Sequence, residues 1–411
     1  MKTLIRILFL VTFFSSVGYA HLGDFSQIPT TAVYADLSIL KKAGVPVLYS
    51  DRGLNMGYAV ATGEMQAKIS EVAHRYGRCG NFEALPEIPR DLRSVAAEFG
   101  QLQKIEAQHA VYSSLARSQF FVEQKPEIVG ALQQLQSVKI RETVEWLSAY
   151  PTRFNRGTEP NKHVNDFAAK LQALIQGVSY PVSVELISHR NTPQKSVKLT
   201  ITGAVRPNEL IVLGGHLDSI VGWSGGGRAP GADDNASGSA SLLEALRILL
   251  TQPQPQRTVE FMWYAGEESG LLGSAEIAET YKNQQKNVIA VLQLDMTLFP
   301  GDGEFRISSM SDFTSPWLRD YLKAINLAYL NVEIMDDRCG YGCSDHASWH
   351  RRGFPALFPT EARFNSSFRH IHTERDVIND SFSFEHALIF SKIALVFGMD
   401  LANSEMKQPL N

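Results

Sequence analysis

The stretch spanning residues 214–372 constrains this chain more than any other, because it carries histidines and carboxylates on five separate loops. The candidate side chains are His216, Asp233, Glu268, Asp295 and His372. Most of them follow a run of apolar, partly β-branched residues, or lie in a glycine-rich loop. An α/β sheet presents side chains in this way at the carboxyl ends of its strands. The stretch therefore predicts an α/β fold with a functional site at one edge of the sheet.

These residue types match the needs of a hydrolytic site with two zinc ions. Zinc accepts imidazole nitrogen and carboxylate oxygen, and two ions about 3.5–4 Å apart need ligands for each ion and one carboxylate that bridges both. Asp218, two residues after His216, can accept the other imidazole N–H and so select the tautomer. Glu267, next to Glu268, is left free to act as a general base.

Each motif alone has a plain structural explanation. A His-x-Asp pair is more often structural, an Asp-Asp-Asn-Ala-Ser-Gly loop often caps a helix, and Glu-Glu-Ser-Gly is usually a solvated turn. Asp295 is harder to explain in this way, because a carboxylate at the end of a buried strand needs a partner. The occurrence of all these motifs in one order favours a metal site.

Composition excludes one class of partner. The chain has 411 residues, is 44% hydrophobic and 20% charged, and carries a formal net charge of -4. This is the composition of an ordinary globular protein, without the basic patch that nucleic-acid binding requires. We therefore expect no nucleic-acid partner.

The first twenty residues predict a secretory signal peptide. Lys2 and Arg6 precede an apolar run over residues 7–14, and small residues follow up to Ala20. This run is far shorter than the roughly 20 residues that span a bilayer, although an uncleaved anchor is the alternative. No later segment is long and apolar enough to span, so we expect a secreted protein, extracellular or periplasmic, with no membrane contact in its mature form.

The rest of the chain divides into two parts. Residues 21–116 contain short strand patterns, helical patterns near 64–76 and 92–106, and no cluster of potential ligands, which indicates either a removable pro-segment or an attached accessory domain. Residues 117–411 alternate helices and strands, which predicts a twisted, mostly parallel mixed sheet between layers of helices. The fold class is therefore α/β with a small α+β N-terminal extension. The predicted strands of the second part lie at 182–187, 197–201, 209–215, 258–264 and 288–294.

Cysteine spacing is informative in an exported chain. Cys339 and Cys343 are four residues apart and can form a disulfide in an oxidising compartment, which leaves Cys79 as the odd cysteine. A Cys-Cys zinc pair is the alternative, but it would need two more ligands nearby.

Six segments together resemble the secreted bacterial leucyl aminopeptidases, which are two-zinc exopeptidases. The resemblance covers roughly residues 127–398. Its most specific part is Cys339-Gly-Tyr-Gly-Cys343-Ser-Asp-His-Ala-Ser-Trp. The other matching segments are Gly-Gly-His216-Leu-Asp218-Ser, Ala-Pro-Gly-Ala-Asp233-Asp234, Glu267-Glu268, Leu-Asp295-Met and Ile-His372-Thr.

The resemblance implies a role for each residue. It implies that His216 and Asp295 bind one zinc ion, that Glu268 and His372 bind the other, and that Asp233 bridges them. It also implies that Glu267 is the base and that the peptide bond between Asp233 and Asp234 is cis.

Substrate contacts follow from the same resemblance. Tyr341 and Ser344 would lie at the scissile carbonyl. Thr360 departs from the aromatic residue often found at its position. The expected reaction removes an N-terminal, apolar residue from a peptide with a free N-terminus, and we expect a monomer. The residues that would line the apolar side-chain pocket are Met296, Phe358, Phe364 and Ile371.

Three other functions are alternatives to this one. A glutaminyl cyclase shares the architecture but uses one zinc ion, and the intact His216 and Asp218 argue against it. A non-catalytic binding domain on the same scaffold usually lacks ligands or the base, all of which are present here. A two-zinc carboxypeptidase remains open, because its ligand set overlaps.

Overall fold

The structure is a computed structural model that describes residues 28–75, 82–115, 121–222 and 226–405. The predicted signal peptide and Cys79 lie outside these ranges. In the described residues no helix is both long and apolar enough to cross a membrane.

The N-terminal part is a small α+β unit built on an antiparallel sheet, as expected from the sequence. Its strands are β1 (Thr31–Asp36), β2 (Tyr49–Asp51), β3 (Met56–Ala61) and β4 (Phe82–Ala84), in the order β2-β3-β1-β4. Its helices are α1 (Leu37–Lys42), α2 (Gly63–Arg75) and α3 (Leu92–Leu115).

Helices cover both faces of this small sheet. Val33 and Ala35 of β1 pack in one apolar cluster with α1 and α2, whereas Ala32 and Tyr34 pack in a second cluster with α3. Alternate residues of a strand point to opposite faces, so β1 is buried on both sides.

The second part is organised around a mixed sheet of six strands within the described residues. The strand order is β12-β9-β7-β8-β6-β5. The four strands from β12 to β8 are parallel, and β6 and β5 continue the sheet in antiparallel pairing. The strands are β5 (Val182–Ile187), β6 (Ser196–Ile201), β7 (Arg206–His216), β8 (Arg257–Tyr264), β9 (Asn287–Gln293) and β12 (Ala356–Leu357).

Helices enclose this sheet from both sides. On β7, Ile211 and Leu213 pack against one helical layer, and Leu210 and Val212 pack against the other. This alternation over the buried part of β7, residues 210–216, confirms the predicted sandwich. The helices of this part are α4 (Pro126–Leu132), α5 (Ser137–Ser148), α6 (Lys162–Leu174), α7 (Gly238–Leu249), α8 (Leu272–Asn283), α9 (Pro316–Ile325), α10 (His346–Arg351) and α11 (Phe384–Asn403).

A second, three-stranded sheet was not expected from the sequence. It consists of β10 (Arg306–Met310), β11 (Glu333–Asp337) and β13 (Pro359–Thr360), in the order β11-β10-β13. The residues of β11 are mostly exposed or half-buried, and its sequence therefore lacks the apolar run that identified the central strands.

The two parts are in close contact. The N–H of Ala84 in β4 donates to the carbonyl oxygen of Gly270, at 2.9 Å. The fully buried carboxylate of Glu83 forms ion pairs with both Arg351 and Arg352 at the end of α10. The N-terminal part therefore packs against the loop that follows β8.

Candidate metal centre and catalytic site

The candidate site lies where three neighbouring parallel strands end. His216 is the last residue of β7, Glu267 and Glu268 follow the end of β8, and Asp295 follows the end of β9. Because β8 and β9 flank β7 on its two sides and run parallel to it, their carboxyl ends meet at one edge. His372 reaches the same place from the segment between β13 and α11.

Two histidines share one carboxylate at the centre of the site. His216 Nε2 lies 3.1 Å from Oδ1 of Asp234, and His372 Nε2 lies 3.0 Å from Oδ2 of the same residue. Asp295 Oδ1 lies 3.3 Å from His216 Nε2, and Glu268 Oε2 lies 2.7 Å from His372 Nε2. Asp234 thus faces a different imidazole with each oxygen, with a second carboxylate beside each imidazole.

The prediction that Asp233 supplies the central carboxylate is wrong. Its Oδ1 accepts the N–H of Leu298 at 3.0 Å, and burial and the nearby carboxylate of Glu361 raise its pKa well above the ordinary value. The carboxylate of Asp376 accepts the N–H groups of both Asp233 and Asp234, at 2.9 and 3.0 Å, and holds this stretch of backbone in place. The cis peptide bond is also one residue later than expected, between Asp234 and Asn235.

Asp218 connects the histidine of β7 to the loop after β8. Its carboxylate accepts the N–H of Glu267 at 3.1 Å and that of Glu268 at 3.3 Å. Its Oδ1 lies 3.5 Å from Nδ1 of His216, and its main-chain oxygen lies 3.2 Å from the same nitrogen. A proton on Nδ1 leaves Nε2 free to face the central carboxylate. The main-chain oxygen of Asp218 is the nearer acceptor for that proton, and its carboxylate lies beside it.

Glu267 is a buried carboxylate next to this cluster. Its backbone N–H donates to Asp218, but its side chain has no hydrogen-bonding partner within the described part of the chain. Burial raises the pKa of Glu267 well above its ordinary value, and the carboxylates of Asp345, Glu268 and Asp295 add to this against the opposing effect of His216. A carboxyl group of this kind can exchange a proton near neutral pH.

The site brings several carboxylates together in the protein interior. Burial and the carboxylate of Asp234 raise the pKa of Glu268 to about 8. Burial opposes protonation of His216, but the carboxylates of Asp295, Asp218 and Asp234 outweigh burial and raise its pKa well above the ordinary value. The arrangement is therefore favourable only with added positive charge.

The donor set fits divalent metal ions. His216, Asp234 and Glu268 each offer a ligand atom, and these atoms lie within 4.8 Å of one another. Glu268 Oε1 is buried and accepts no hydrogen bond from a described residue, which leaves it available to a cation. Two imidazoles and three carboxylates are the ligands that zinc prefers in hydrolytic sites.

The cysteine loop forms an apolar patch. Cys339 and Cys343 form the expected disulfide. Tyr341 and Phe358 are buried in one cluster, and the ring of Phe364 contacts that of Tyr341 edge-on, with centroids 6.1 Å apart. The two other expected pocket residues, Met296 and Ile371, lie outside this described cluster and directly follow or precede Asp295 and His372 in the chain.

Ser344 occupies a different position from the one expected. Its hydroxyl group is fully buried and donates to Oδ2 of Asp295 at 2.7 Å, while Gln293 Nε2 donates to the hydroxyl oxygen at 3.0 Å. In this structure Ser344 orients Asp295 and does not face an open cleft where a scissile carbonyl would lie.

Sequence reasoning also missed Arg153, which holds the loops of the site together. Its side chain is fully buried and donates to main-chain oxygens of Leu217, Pro230 and Gly231, at 2.9, 2.6 and 2.9 Å. Burial lowers the pKa of Arg153 to about 10, against the charges of Asp376 and the site carboxylates. Main-chain partners leave no pattern in the sequence, so nothing in the sequence identified this residue.

Comparison with known proteins gives the family. Residues 196–409 match the model of peptidase family M28. The chain belongs to this family. It is 36% identical over 292 residues to a probable leucine aminopeptidase of Trichophyton verrucosum, which covers 68% of this chain and 78% of that protein. Leucine aminopeptidase 1 of Coccidioides posadasii is 33% identical over 300 residues, which are 69% of this chain and 76% of that protein.

A solved aminopeptidase structure extends the match towards the N-terminus. The crystal structure of the Legionella pneumophila LapA aminopeptidase has a TM-score of 0.75 and 28% identity, and covers 92% of this chain and 99% of that chain. Coverage this wide includes much of the N-terminal part as well as residues 196–409. The protein is therefore a metallo-aminopeptidase of family M28, although these two sequence relatives are fungal and not bacterial.

Proposed function

We propose that this M28 aminopeptidase holds two zinc ions and removes N-terminal, apolar residues from peptides. The observation that carries the proposal is the central carboxylate of Asp234, whose two oxygens face His216 and His372 separately. His216 and Asp295 would hold one ion, and His372 and Glu268 the other. Asp234 would bridge the two ions.

The protein residues supply orientation and proton transfer. Zinc, when bound, lowers the pKa of water to about 7 and polarises a carbonyl group. Glu267 takes a proton from the attacking water as its oxygen bonds to the carbonyl carbon of the first residue. When the C–N bond breaks, Glu267 returns that proton to the leaving amine. Asp218 holds His216 and the backbone of Glu267 and Glu268 in fixed positions during both steps.

Two features support the choice of substrate. The carboxylates around the two histidines provide the negative charge that a free N-terminal amine would meet, which favours the end of a peptide over its interior. The apolar cluster of Tyr341, Phe358 and Phe364 supports an apolar first residue. Met296 and Ile371, as chain neighbours of Asp295 and His372, are proposed as further pocket residues.

The test combines a metal count with four substrates. We expect two zinc ions per chain and hydrolysis of leucine p-nitroanilide, with no hydrolysis of its N-acetylated form. Cleavage of a substrate with a blocked N-terminus and a free carboxyl terminus would indicate the carboxypeptidase alternative instead. Cyclisation of an N-terminal glutamine with a single bound zinc ion would indicate the cyclase alternative.

We also propose that the protein is exported by a signal peptide at residues 1–20. The disulfide between Cys339 and Cys343 supports this, since disulfides persist in oxidising compartments. N-terminal sequencing of the protein from cell fractions tests the proposal. A mature chain that begins at residue 21 or later, outside the cytoplasm, is the expected result, and a cytoplasmic chain beginning at Met1 would contradict it.

A further inference from the structure

A second group of metal-ligating residues lies where the N-terminal part meets α10. Glu106 and His109 of α3 are three residues apart, which places both side chains on one face of the helix. His350 of α10 faces them from the other part of the protein. One ligand atom from each of the three residues lies within 4.8 Å of the others. None of the three belongs to the site at the strand ends.

His350 is the member of this group that most needs a partner. It is only 1% exposed, and neither of its ring nitrogens makes a hydrogen bond in the described part of the chain. The nearest charged oxygen is Glu106 Oε1, which lies 3.6 Å from His350 Nε2 and is beyond hydrogen-bonding distance. Buried imidazole nitrogens normally have partners, so an unpartnered one that faces a carboxylate indicates a missing ligand.

Both imidazoles are in the form that binds metals. Burial lowers the pKa of His109 to about 4, and the charge of Arg319 acts in the same direction. Burial also lowers the pKa of His350 well below its ordinary value, with further contributions from His109 and nearby cations. Neutral imidazoles keep a lone pair available at pH 7. The tilted contact between the two rings, with centroids 5.2 Å apart, does not use that lone pair.

The charged neighbours have partners of their own. Arg319 donates to main-chain and hydroxyl oxygens of Thr314, and Arg351 pairs with Glu83 and lies over the ring of Phe313. Burial raises the pKa of Glu106 above its ordinary value, the charge of Arg319 opposes this shift, and the carboxylate of Asp312 adds to it and brings negative charge to this region. The local charge thus does not exclude a cation, and Glu106 supplies the ligand charge that a divalent ion requires.

We propose that Glu106, His109 and His350 bind a divalent transition metal ion, such as zinc, which joins α3 to α10. Two imidazoles and one carboxylate give three protein ligands and leave a fourth position for water. A Glu-x-x-His pair on one helix is a spacing that metal sites between packed helices use. Tetrahedral zinc places its ligand atoms about 3.4 Å apart, so binding requires a small movement. The half-exposed side chain of Glu106 can make that movement.

Such a site would be structural. It lies at the interface between the N-terminal part and the part with the aminopeptidase site, and its ligands come from both. An ion there would stabilise the docking of α3 without taking part in peptide hydrolysis. Its presence is independent of how many ions the strand-end site holds.

The test compares the full-length protein with His109→Ala and Glu106→Gln. Gln108→Ala is the matched control, because Gln108 is exposed and lies between the two ligands on the same helix. Each protein is stripped with a chelator, dialysed against zinc, and measured for zinc per chain and for the rise in Tm that zinc causes. We expect each ligand variant to bind one zinc ion fewer than wild type and to lose part of the rise in Tm. Gln108→Ala should match wild type, and hydrolysis of leucine p-nitroanilide should change by less than about twofold in all of them.

Equal zinc counts and equal zinc-dependent changes in Tm across the four proteins would overturn the proposal. The three residues would then only pack together. If His109→Ala does not fold, Glu106→Gln still decides the question, because Glu106 is the exposed member of the group and its replacement keeps the side-chain shape. The readout is a difference between variants, so a failure of the two-zinc proposal for the strand-end site would not hide it.

Discussion

The Nε2 atom of His372 lies 3.0 Å from Oδ2 of Asp234, on the opposite side of that carboxylate from His216. Its chain neighbour Asp233 directs Oδ1 of its own carboxyl group to the N–H of Leu298. Two adjacent aspartates of identical chemistry thus have unlike roles, and a pair of isosteric substitutions can separate them.

Asp234→Asn should lose zinc and lower kcat/KM for leucine p-nitroanilide by at least about a hundredfold, because the amide removes the charge that two cations would share. Asp233→Asn is the matched control. It retains an acceptor for the N–H of Leu298 and should keep both zinc and activity to within about tenfold. Zinc per chain and steady-state kinetics provide the measurement. The reverse pattern, with Asp233→Asn inactive and free of metal, would show that the assignment is incorrect.

Glu267→Ala should keep its zinc but lower turnover by at least about a hundredfold, as expected for the loss of a general base. Glu267→Gln should behave similarly while it preserves the shape of the side chain, which separates proton transfer from packing. Near wild-type turnover with full metal occupancy in either variant would remove Glu267 from the mechanism.

Ser344→Ala distinguishes support of a ligand from contact with the substrate. Because the hydroxyl group of Ser344 donates to Asp295, we expect its loss to weaken zinc binding by about 10–100-fold. At saturating zinc, kcat should remain near the wild-type value. A large fall in kcat with unchanged zinc affinity would instead place Ser344 at the reacting carbonyl.

Acid should destabilise the protein through His163. This buried imidazole accepts a hydrogen bond from Gln194 Nε2 at 2.9 Å, and Gln194 Oε1 accepts the N–H of Gly266 next to the catalytic loop. Burial, together with the charge of Arg153, lowers the pKa of His163 from 6.5 to about 3. The unfolded chain therefore binds a proton that the folded protein does not bind between those two values.

The sign of the pH effect follows from that difference. Above about pH 6.5 the titration of His163 does not reduce the free energy of unfolding. Below that pH the free energy of unfolding falls by up to about 1.4 kcal/mol for each pH unit, and the decline levels off near pH 3. Urea unfolding of wild type and His163→Gln over this range provides the measurement. The variant should show a shallower decline in acid, and identical slopes would contradict the prediction.

Glu83 should be essential for the junction between the two parts. It is fully buried between Arg351 and Arg352, so Glu83→Gln leaves Arg351 without its carboxylate partner and Arg352 with only the partly exposed Glu279, and should cost about 3–5 kcal/mol of unfolding free energy. Glu87→Gln is the control. Its ion pair with Arg190 is exposed, and its loss should cost no more than about 1 kcal/mol.

Limited proteolysis tests whether residues 21–116 form a removable pro-segment. The hydrogen bond from Ala84 to Gly270 and the buried Glu83 lead us to expect that trimming the chain to a start between residues 117 and 127 lowers both stability and activity per mole. A stable trimmed product with equal or higher activity would identify a pro-segment instead.

Much of the central architecture could be predicted because it depends on local patterns. Strands such as β7 and β8 contain apolar runs, Leu-Ile-Val-Leu and Phe-Met-Trp-Tyr, and α11 is strongly apolar. The short β10 and β11 escaped prediction, because their pairing with each other and with β13 involves segments far apart in the chain. Local sequence carries little information about such contacts.

The sequence alone determined which residue types meet at the strand ends, because motif order and apolar runs place His216, Glu267, Glu268 and Asp295 there whatever the details of packing. Only the tertiary structure decided between Asp233 and Asp234, since the backbone held by Asp376 determines which of two adjacent side chains turns inward. Only the tertiary structure brought His350 to Glu106 and His109, because α3 and α10 are remote in sequence and meet through the docking of two separately patterned parts.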